Sequence, residues 1–405
     1  MTPDDIAAAF KSNRAGLDLG RDLMLDPPPL APLPSLDGAP VGPDQALRDL
    51  AGVVITGSTR LDDPGFFAHM DPVTPWITWV AAQWAARLNQ NLLHDDTGRV
   101  ARELEARVVA VLAPRWGMDG GHMVPGSTLA NLTALWAARE QRRVTTVVAS
   151  EAAHISVPKA ALLLGLDYRP VPTDGGDRLD PAQLGDLTDA AVVLTAGTTA
   201  TGAIDNLDHS EVLAAASWVH VDAAWAGPLR LSPRWGPLLE GVEQADSVAI
   251  SAHKWLHQPK ESALALFRDT AAAHDALSFG ADYLAVPNIG ILGSHGYSAL
   301  PLAATLLAYG VEGLGAWVDH AMDLTTRLTD RIAAHSELEQ WGSGPGSGVV
   351  AWRHRHSDSR LLQSRLQDAF VSVTIIGGEP WLRSVAANPL ADPDQVVAAV
   401  LAAGA

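Results

Sequence analysis

The sequence predicts an α/β fold: a mostly parallel central sheet covered by helices, a small C-terminal α+β domain and an N-terminal arm. Three observations predict it. Short β-rich runs recur at Thr145–Ala149, Ala191–Thr195, Trp218–Val221, Ser247–Ile250 and Ala263–Phe267. Ala-rich segments of helical pattern separate the first three runs. Chemically useful side chains follow several of the runs, and open α/β sheets bind ligands beyond their strand ends. Strands that alternate with helices pair in parallel and are buried on both faces.

The chain is read in three parts: an arm over 1–44, a large domain over 45–314 and a small domain over 315–405. The arm opens with a short helical stretch and then turns proline-rich, with Pro27, Pro28, Pro29, Pro32, Pro34, Pro40 and Pro43. Proline fixes φ and removes a donor, so this segment is extended and needs a surface to lie against, expected on a partner subunit. Residues 99–113 are amphipathic, with Val100, Leu104, Val108, Val111 and Leu112 at helical spacing. The Ala/Leu-rich stretch from Leu300 to Ile332 predicts one or two helices leading out of the large domain. The run GSGPGSG (342–348) is a loop inside the small domain.

Composition narrows the function classes. The 405 residues are 47% hydrophobic and 18% charged, enough for a sizeable core and too apolar for wide disorder. A formal net charge of −18 repels phosphate backbones and anionic lipid, so neither nucleic acid nor a membrane is an expected partner. There is no cysteine, which excludes disulfides, Cys-ligated zinc, iron–sulfur clusters and thiol nucleophiles. No metal is expected. MTPDDIAAAF is not a basic-then-apolar leader and no apolar run reaches membrane-spanning length, so a cytoplasmic protein is expected.

The strand ends carry the chemistry. SEAAHIS with His154 follows the first run, TAGTTATGAID follows the second from Thr195, HVDAAWAGP with Asp222 the third, and SAHKW with His253 and Lys254 the fourth. A hydroxyl, an imidazole, a carboxylate and an amine therefore converge on one sheet edge. A desolvated lysine loses proton affinity and becomes a nucleophilic amine that forms Schiff bases with aldehydes. A carboxylate keeps a pyridine nitrogen protonated. That pairing suits pyridoxal phosphate, whose protonated ring is an electron sink. His154 can stack on such a ring, and the small Ala224 leaves room on its other face. PGSTLAN (125–131) leads into an apolar helix, where Gly126 allows close approach and Ser127 and Thr128 offer donors to a phosphate at a helix N-terminus.

The order PGSTLAN, SEAAHISVPKAA, TAGTTATGAID, HVDAAWAGP, ADSVAISAHKW resembles the group II pyridoxal-dependent decarboxylases. Those enzymes act on aromatic amino acids, histidine, glutamate, diaminobutyrate and cysteine sulfinate. The resemblance runs from about Asp63 to Leu314 and resumes at WLRSVAANP (381–389). It implies a fold-type I homodimer with active sites shared across the interface and pyridoxal 5'-phosphate on Lys254. It further implies that Asp222 pairs with the pyridine nitrogen, that His154 and Ala224 flank the ring, and that Thr195 sits close to it. By the same resemblance Ser127, Thr128 and His253 would hold the phosphate, and Tyr283, 29 residues past Lys254 in ADYLAV, would return a proton to the α-carbon.

The sequence also departs from the family pattern. Nine residues separate Tyr283 from Gly293, where relatives commonly carry a longer lid. Ser251 stands where Asn is common and stays in the cofactor-binding set. In LGSHGYS, Ser294 keeps a phosphate donor across the interface, but His295 and Gly296 replace the usual guanidinium. FFAHMDPVTPW and LNQNLLH occupy the family positions that line the substrate pocket, giving His69, Trp76, Asn89, Asn91 and His94 as candidates. Arg383 can bind a carboxylate bidentately. His122 is a further candidate.

The expected activity is decarboxylation of an L-amino acid through a Lys254 Schiff base. Transamination, carbon–carbon cleavage and oxidative deamination would use the same residues. A catalytically silent cofactor-binding homologue is the reading from another class, and the joint presence of Lys254, Asp222 and His154 argues against it.

Overall fold

Val, Leu, Ile and Ala fill the β-rich runs, and in the computed structural model these runs form the middle of a seven-stranded sheet. Residues 9–208, 214–282, 284, 286–343 and 346–404 are described. The strands are β1 (Gly120–Val124), β2 (Thr146–Ser150), β3 (Asp167–Val171), β4 (Ala190–Thr195), β5 (Trp218–Asp222), β6 (Ser247–Ser251) and β7 (Ala263–Phe267). Their spatial order is β1-β7-β6-β5-β4-β2-β3. Pairing is parallel from β3 through β6, and β7 runs antiparallel to both β6 and β1. All residues of β4, β6 and β7 are buried, as strands covered on both faces must be. The sequence runs predicted five of these strands within a residue or two. They did not predict β1 and β3: Gly120 and Gly121 dilute the first, and Asp167, Arg169 and Pro170 the second.

The chain divides into two compact units, Met1–Arg60 and Leu61–Ala405. The first holds α1 (Arg14–Leu25) and α2 (Pro43–Val54), joined by the proline-rich stretch without regular structure. Pro43 opens α2, where its missing N–H costs nothing.

The second unit carries α3 (Trp76–Leu88), α4 (Asp95–Leu112), α5 (Ser127–Arg142), α6 (Ser156–Leu164) and α7 (Thr270–Ala276). The Ala-rich α5 packs on β5, β6 and β7 and buries residues all round its barrel. The helical segment expected between β4 and β5 falls on 209–213, outside the described residues. The stretch around Leu300–Ile332 is α8 (Ala299–Ala333), interrupted at Gly310 (φ 68°, ψ −179°), so it is two helices in series. By length and composition α8 could cross a membrane, yet Leu302, Leu314, Val318, Met322 and Leu328 bury in the core. Two short strands, β8 (Ser278–Phe279) and β9 (Asn288–Ile289), pair antiparallel around residues 280–287. A four-stranded antiparallel sheet follows, β10 (Leu338–Gln340), β11 (Val349–His354), β12 (Ser372–Ile376) and β13 (Glu379–Val385), in the order β10-β11-β13-β12. Helices α9 (Ser359–Arg365) and α10 (Pro393–Gly404) cover it.

Two tryptophans couple the sheets. Trp225 and Trp255 are buried, with ring centroids 4.4 Å apart. Trp225 Nε1 donates to the Ser347 carbonyl and Trp255 Nε1 to the Ala386 carbonyl, each at 2.7 Å. Gly348 (φ 80°) lies against Trp255, where a Cβ would come within 2.3 Å of the indole. Gly348→Ala therefore combines a left-handed backbone with a clash against a fixed ring. It should destabilise the protein by about 2 kcal/mol or more, read as a lower urea midpoint at unchanged slope.

Candidate active site

The site forms where parallel strands end. In the sheet register Thr195 of β4 lies beside Asp222 of β5, and Asp222 beside Ala249 of β6. Because β7 returns antiparallel, β6 and β7 are joined by one tight segment, and Lys254 sits in it. Lys254 N–H donates to the Ser251 carbonyl at 3.3 Å, His257 N–H to the Lys254 carbonyl at 2.9 Å, and His253 N–H to the Ser262 carbonyl at 3.0 Å. These bonds brace the segment on both sides.

Ser127, His154, Thr195, Asp222, Ala224 and Lys254 line one cavity, together with Met70, Gly197, Thr199 and Trp225. Asp222 is buried and accepts from Asn131 Nδ2 at 2.8 Å and from the Ala224 N–H at 3.2 Å. His154 Nδ1 lies 2.7 Å from Ser156 Oγ and accepts the Ser156 N–H at 3.2 Å. Ser251 Oγ donates to Ser127 Oγ at 2.9 Å, which leaves the Ser127 hydroxyl proton to another acceptor. Gly126 (φ 94°) turns the chain into α5, with His253 beside it: a Cβ there would sit 3.4 Å from the imidazole. Ser127 and Thr128 occupy the first turn of α5, where backbone N–H groups lack helical partners and favour an anion.

Burial lowers the proton affinity of Lys254. Asp222 opposes this, Lys260 adds to it, Asp71 opposes it and Arg383 adds to it. Burial likewise lowers His154, against the pull of Asp222, and lowers His253 to about 4. The cavity thus holds an imidazole shifted toward its neutral form and an amine shifted toward its nucleophilic form.

The donor set fits pyridoxal phosphate. Thr195 Oγ1 is buried on the cavity wall without a hydrogen-bond partner, and Ser262 Oγ, next to the loop of His253, is buried and unpartnered too. Ala224 leaves one wall without a side chain beyond Cβ. An amine, a buried carboxylate, an imidazole and a helix N-terminus are the groups that aldehyde, pyridine nitrogen, ring and phosphate require.

A model of the pyridoxal-dependent decarboxylase conserved domain matches residues 37–355. The chain belongs to this family. L-2,4-diaminobutyrate decarboxylase of Rhizobium meliloti (strain 1021) is 29% identical over 411 residues, which span 91% of this chain and 82% of that enzyme. Aspartate 1-decarboxylase of Aliivibrio fischeri (strain ATCC 700601 / ES114) is 27% identical over 68% of this chain and 60% of its own length. Among solved structures, mouse CSAD superposes with a TM-score of 0.84 at 23% identity, covering 97% of this chain and 93% of that one. Oryza sativa TDC with PLP and tryptamine gives 0.81 at 24%, covering 100% and 97%. The fold is that of fold-type I enzymes, and this member of the family is a pyridoxal-phosphate-dependent carboxy-lyase.

Among the described residues, the remaining substrate-side candidates lie outside the cavity that Lys254 lines. The His69 ring packs beside Phe66 and Phe370, with centroids at 6.4 and 5.8 Å. Trp76 opens α3 largely exposed, and Asn89 ends it in the left-handed region (φ 44°). Asn91 Nδ2 donates to Ser294 Oγ at 3.2 Å, and Ser294 is exposed. Arg383, on β13, has a buried Nε without a partner, and burial lowers its guanidinium. His122 pairs with His274 at 3.1 Å and lines a separate, more apolar cavity with Leu92 and Val124. Tyr283 lies outside the described residues. Sequence reasoning missed Met70, Thr199 and Trp225 on the cavity wall and Asp71 near Lys254. Thr199 and Trp225 stand inside motifs already singled out, TAGTTATG and HVDAAWAGP, and Met70 and Asp71 inside FFAHMDP; only their neighbours were chosen.

Attachment of the cofactor at Lys254, the role proposed below, would consume the neutral amine. Its rate, followed by absorbance, should rise with pH and level off below the range of an ordinary lysine, because burial lowers this amine. A rise that continues into that range would show that burial leaves the amine untuned.

Proposed function

We propose that the protein decarboxylates an L-amino acid at the cavity closed by Lys254, Asp222 and His154, in a homodimer that shares its active sites. The convergence of those three side chains on one cavity carries the reading. When bound, pyridoxal phosphate supplies an electron sink for charge left on the substrate α-carbon. Lys254 would hold the cofactor, its amine shifted by burial toward the neutral, nucleophilic form that condenses with an aldehyde. Asp222 would keep a proton on the pyridine nitrogen, His154 and Ala224 would confine the ring, and Thr195 would offer its hydroxyl to the cofactor. Ser127, Thr128, Ser251 and His253 form the phosphate cradle at the start of α5. Arg383 would orient the substrate carboxylate through its guanidinium. Tyr283 delivers a proton to the α-carbon, and this role rests on its position in the sequence. His69, Trp76, Asn89 and Asn91 belong to the substrate side of the same reading.

The dimer has its own support. Trp76, Trp79, Trp84 and Leu88 of α3 are 63%, 42%, 60% and 51% exposed, an apolar face that water alone would leave unfavourable. Ser294 does not line the cavity of its own chain, which suits a donor that reaches the partner's phosphate. A cytoplasmic setting completes the reading.

A panel of amino acids that includes 2,4-diaminobutyrate, aspartate, tyrosine and tryptophan should yield carbon dioxide and amine in equal amounts for at least one member. Borohydride should fix the cofactor on Lys254, and Lys254→Ala should abolish that label. Ammonia with a keto acid as the main products, or a label on another lysine, would overturn the proposal.

Tyr283→Phe should leave carbon dioxide release possible and slow amine formation, since phenylalanine keeps the ring and removes the proton. Amine at the wild-type rate would place the donor elsewhere. Mixed Lys254→Ala and Ser294→Ala subunits should regain part of the activity that each lacks, because a hybrid dimer contains one intact site. An active monomer would refute the shared site.

A further inference from the structure

A line of buried polar side chains runs behind the cavity. Asn131, His220 and Ser247 are fully buried and Ser156 nearly so, at a depth where apolar side chains would fill the space. Asn131 Nδ2 lies 2.8 Å from Asp222 Oδ2 and 2.9 Å from Ser156 Oγ. Asn131 Oδ1 lies 3.0 Å from His220 Nε2, and His220 Nδ1 lies 2.8 Å from Ser247 Oγ. Trp218 Nε1 donates to Ser247 Oγ at 2.8 Å.

The chemistry of the two ends fixes every proton between them. An ionised carboxylate only accepts, so Asn131 must turn its NH2 toward Asp222 and its carbonyl toward His220. His220 therefore carries its proton on Nε2, and its Nδ1 accepts from the Ser247 hydroxyl. Ser247 Oγ in turn accepts the Trp218 indole N–H, which only donates. On the other branch, Ser156 Oγ accepts from Asn131 and donates to His154 Nδ1. The Ser156 backbone N–H also points at that nitrogen, so the His154 proton resides on Nε2. A single pattern satisfies all the contacts. It needs neutral imidazoles, and burial holds His220 down to about 4 and lowers His154.

We propose that Asn131 is a positioning residue for the cofactor: one amide aims the Asp222 carboxylate and, through Ser156, sets the tautomer and tilt of His154. His220 holds that amide from behind. The ring's proton partner and its stacking partner are thereby oriented by one group on α5, the helix whose first turn also meets the phosphate. This rests on the roles given to Asp222 and His154 above.

The test uses the full-length protein freed of cofactor and titrated with pyridoxal phosphate. Two quantities are read: the dissociation constant, and the pH midpoint of the bound cofactor's absorbance change. Asn131→Leu keeps the volume and removes the amide. It should weaken binding about tenfold or more and move the midpoint, because a buried charge loses a donor. Ser156→Ala cuts only the His154 branch and should weaken binding by a smaller factor, again with a moved midpoint. His220→Gln, whose amide can still donate to Asn131, should keep both values near wild type. Circular dichroism and urea midpoints identify the variants that fold. A folded Asn131→Leu with wild-type binding and midpoint overturns the proposal; if it does not fold, wild-type values in Ser156→Ala overturn it. Asp222→Ala separates the two levels. If it leaves binding and spectrum unchanged, the role of Asp222 fails. If it changes them while Asn131→Leu does not, only the role of Asn131 fails.

Discussion

Asp222 ends a central strand with a buried carboxylate, and much of the surrounding structure follows from having to satisfy it. An ion taken out of water costs several kcal/mol unless donors or opposite charge replace the lost hydration. Here the Ala224 N–H and the Asn131 amide supply donors, and the Lys254 amine shares the cavity. The need for donors explains why a helix as apolar as α5 carries an asparagine in its most buried turn. It also explains the residues after Asp222: Ala223 and Ala224 are small, so the backbone can curl back onto the carboxylate.

The fold meets this demand through strand direction. Parallel β4 and β5 set Thr195 and Asp222 side by side at their carboxyl ends. The reversal at β7 then closes the loop after β6 over residues 252–262, and Lys254 stands on a segment pinned by backbone hydrogen bonds at both ends. A parallel β7 would have required a long crossover and a looser lysine. Trp225 and Trp255, which flank this region in sequence and touch in space, carry the bracing into the four-stranded sheet.

Much of this was legible in the sequence, for a physical reason. Ala190–Thr195, Trp218–Asp222 and Ser247–Ser251 are almost wholly buried and mostly apolar or β-branched, so they read as strands, and the residues after them read as the site. β3 was not legible because it is an edge strand carrying Asp167, Arg169 and Pro170, where no apolar rule applies. β1 was lost because Gly121 lies so close to the β7 backbone that no side chain fits. Within the site, several side chains on the cavity wall were readable from their chemistry, while Met70, Thr199 and Trp225 were not. Nor was Asn131: it was quoted within PGSTLAN as a helix residue, and its 2.8 Å approach to Asp222 is visible only in the structure. His220 precedes Asp222 by two residues and so points to the same face of the sheet, a hint that strand periodicity offered and that the pattern of reactive groups obscured.

The placement of the tryptophans has an optical consequence. Trp225 forms part of the cavity wall, and Trp255 lies against it one residue beyond Lys254. An indole excited at this distance passes its energy to a bound pyridoxal chromophore rather than emitting it. Filling of the cavity therefore dims the protein's own ultraviolet emission, and loss of the cofactor brightens it. The chain carries thirteen tryptophans, so the signal is partial, with Trp225 on the cavity wall itself. The packing that ties one sheet to the other also makes the protein a fluorescent gauge of its own cofactor content.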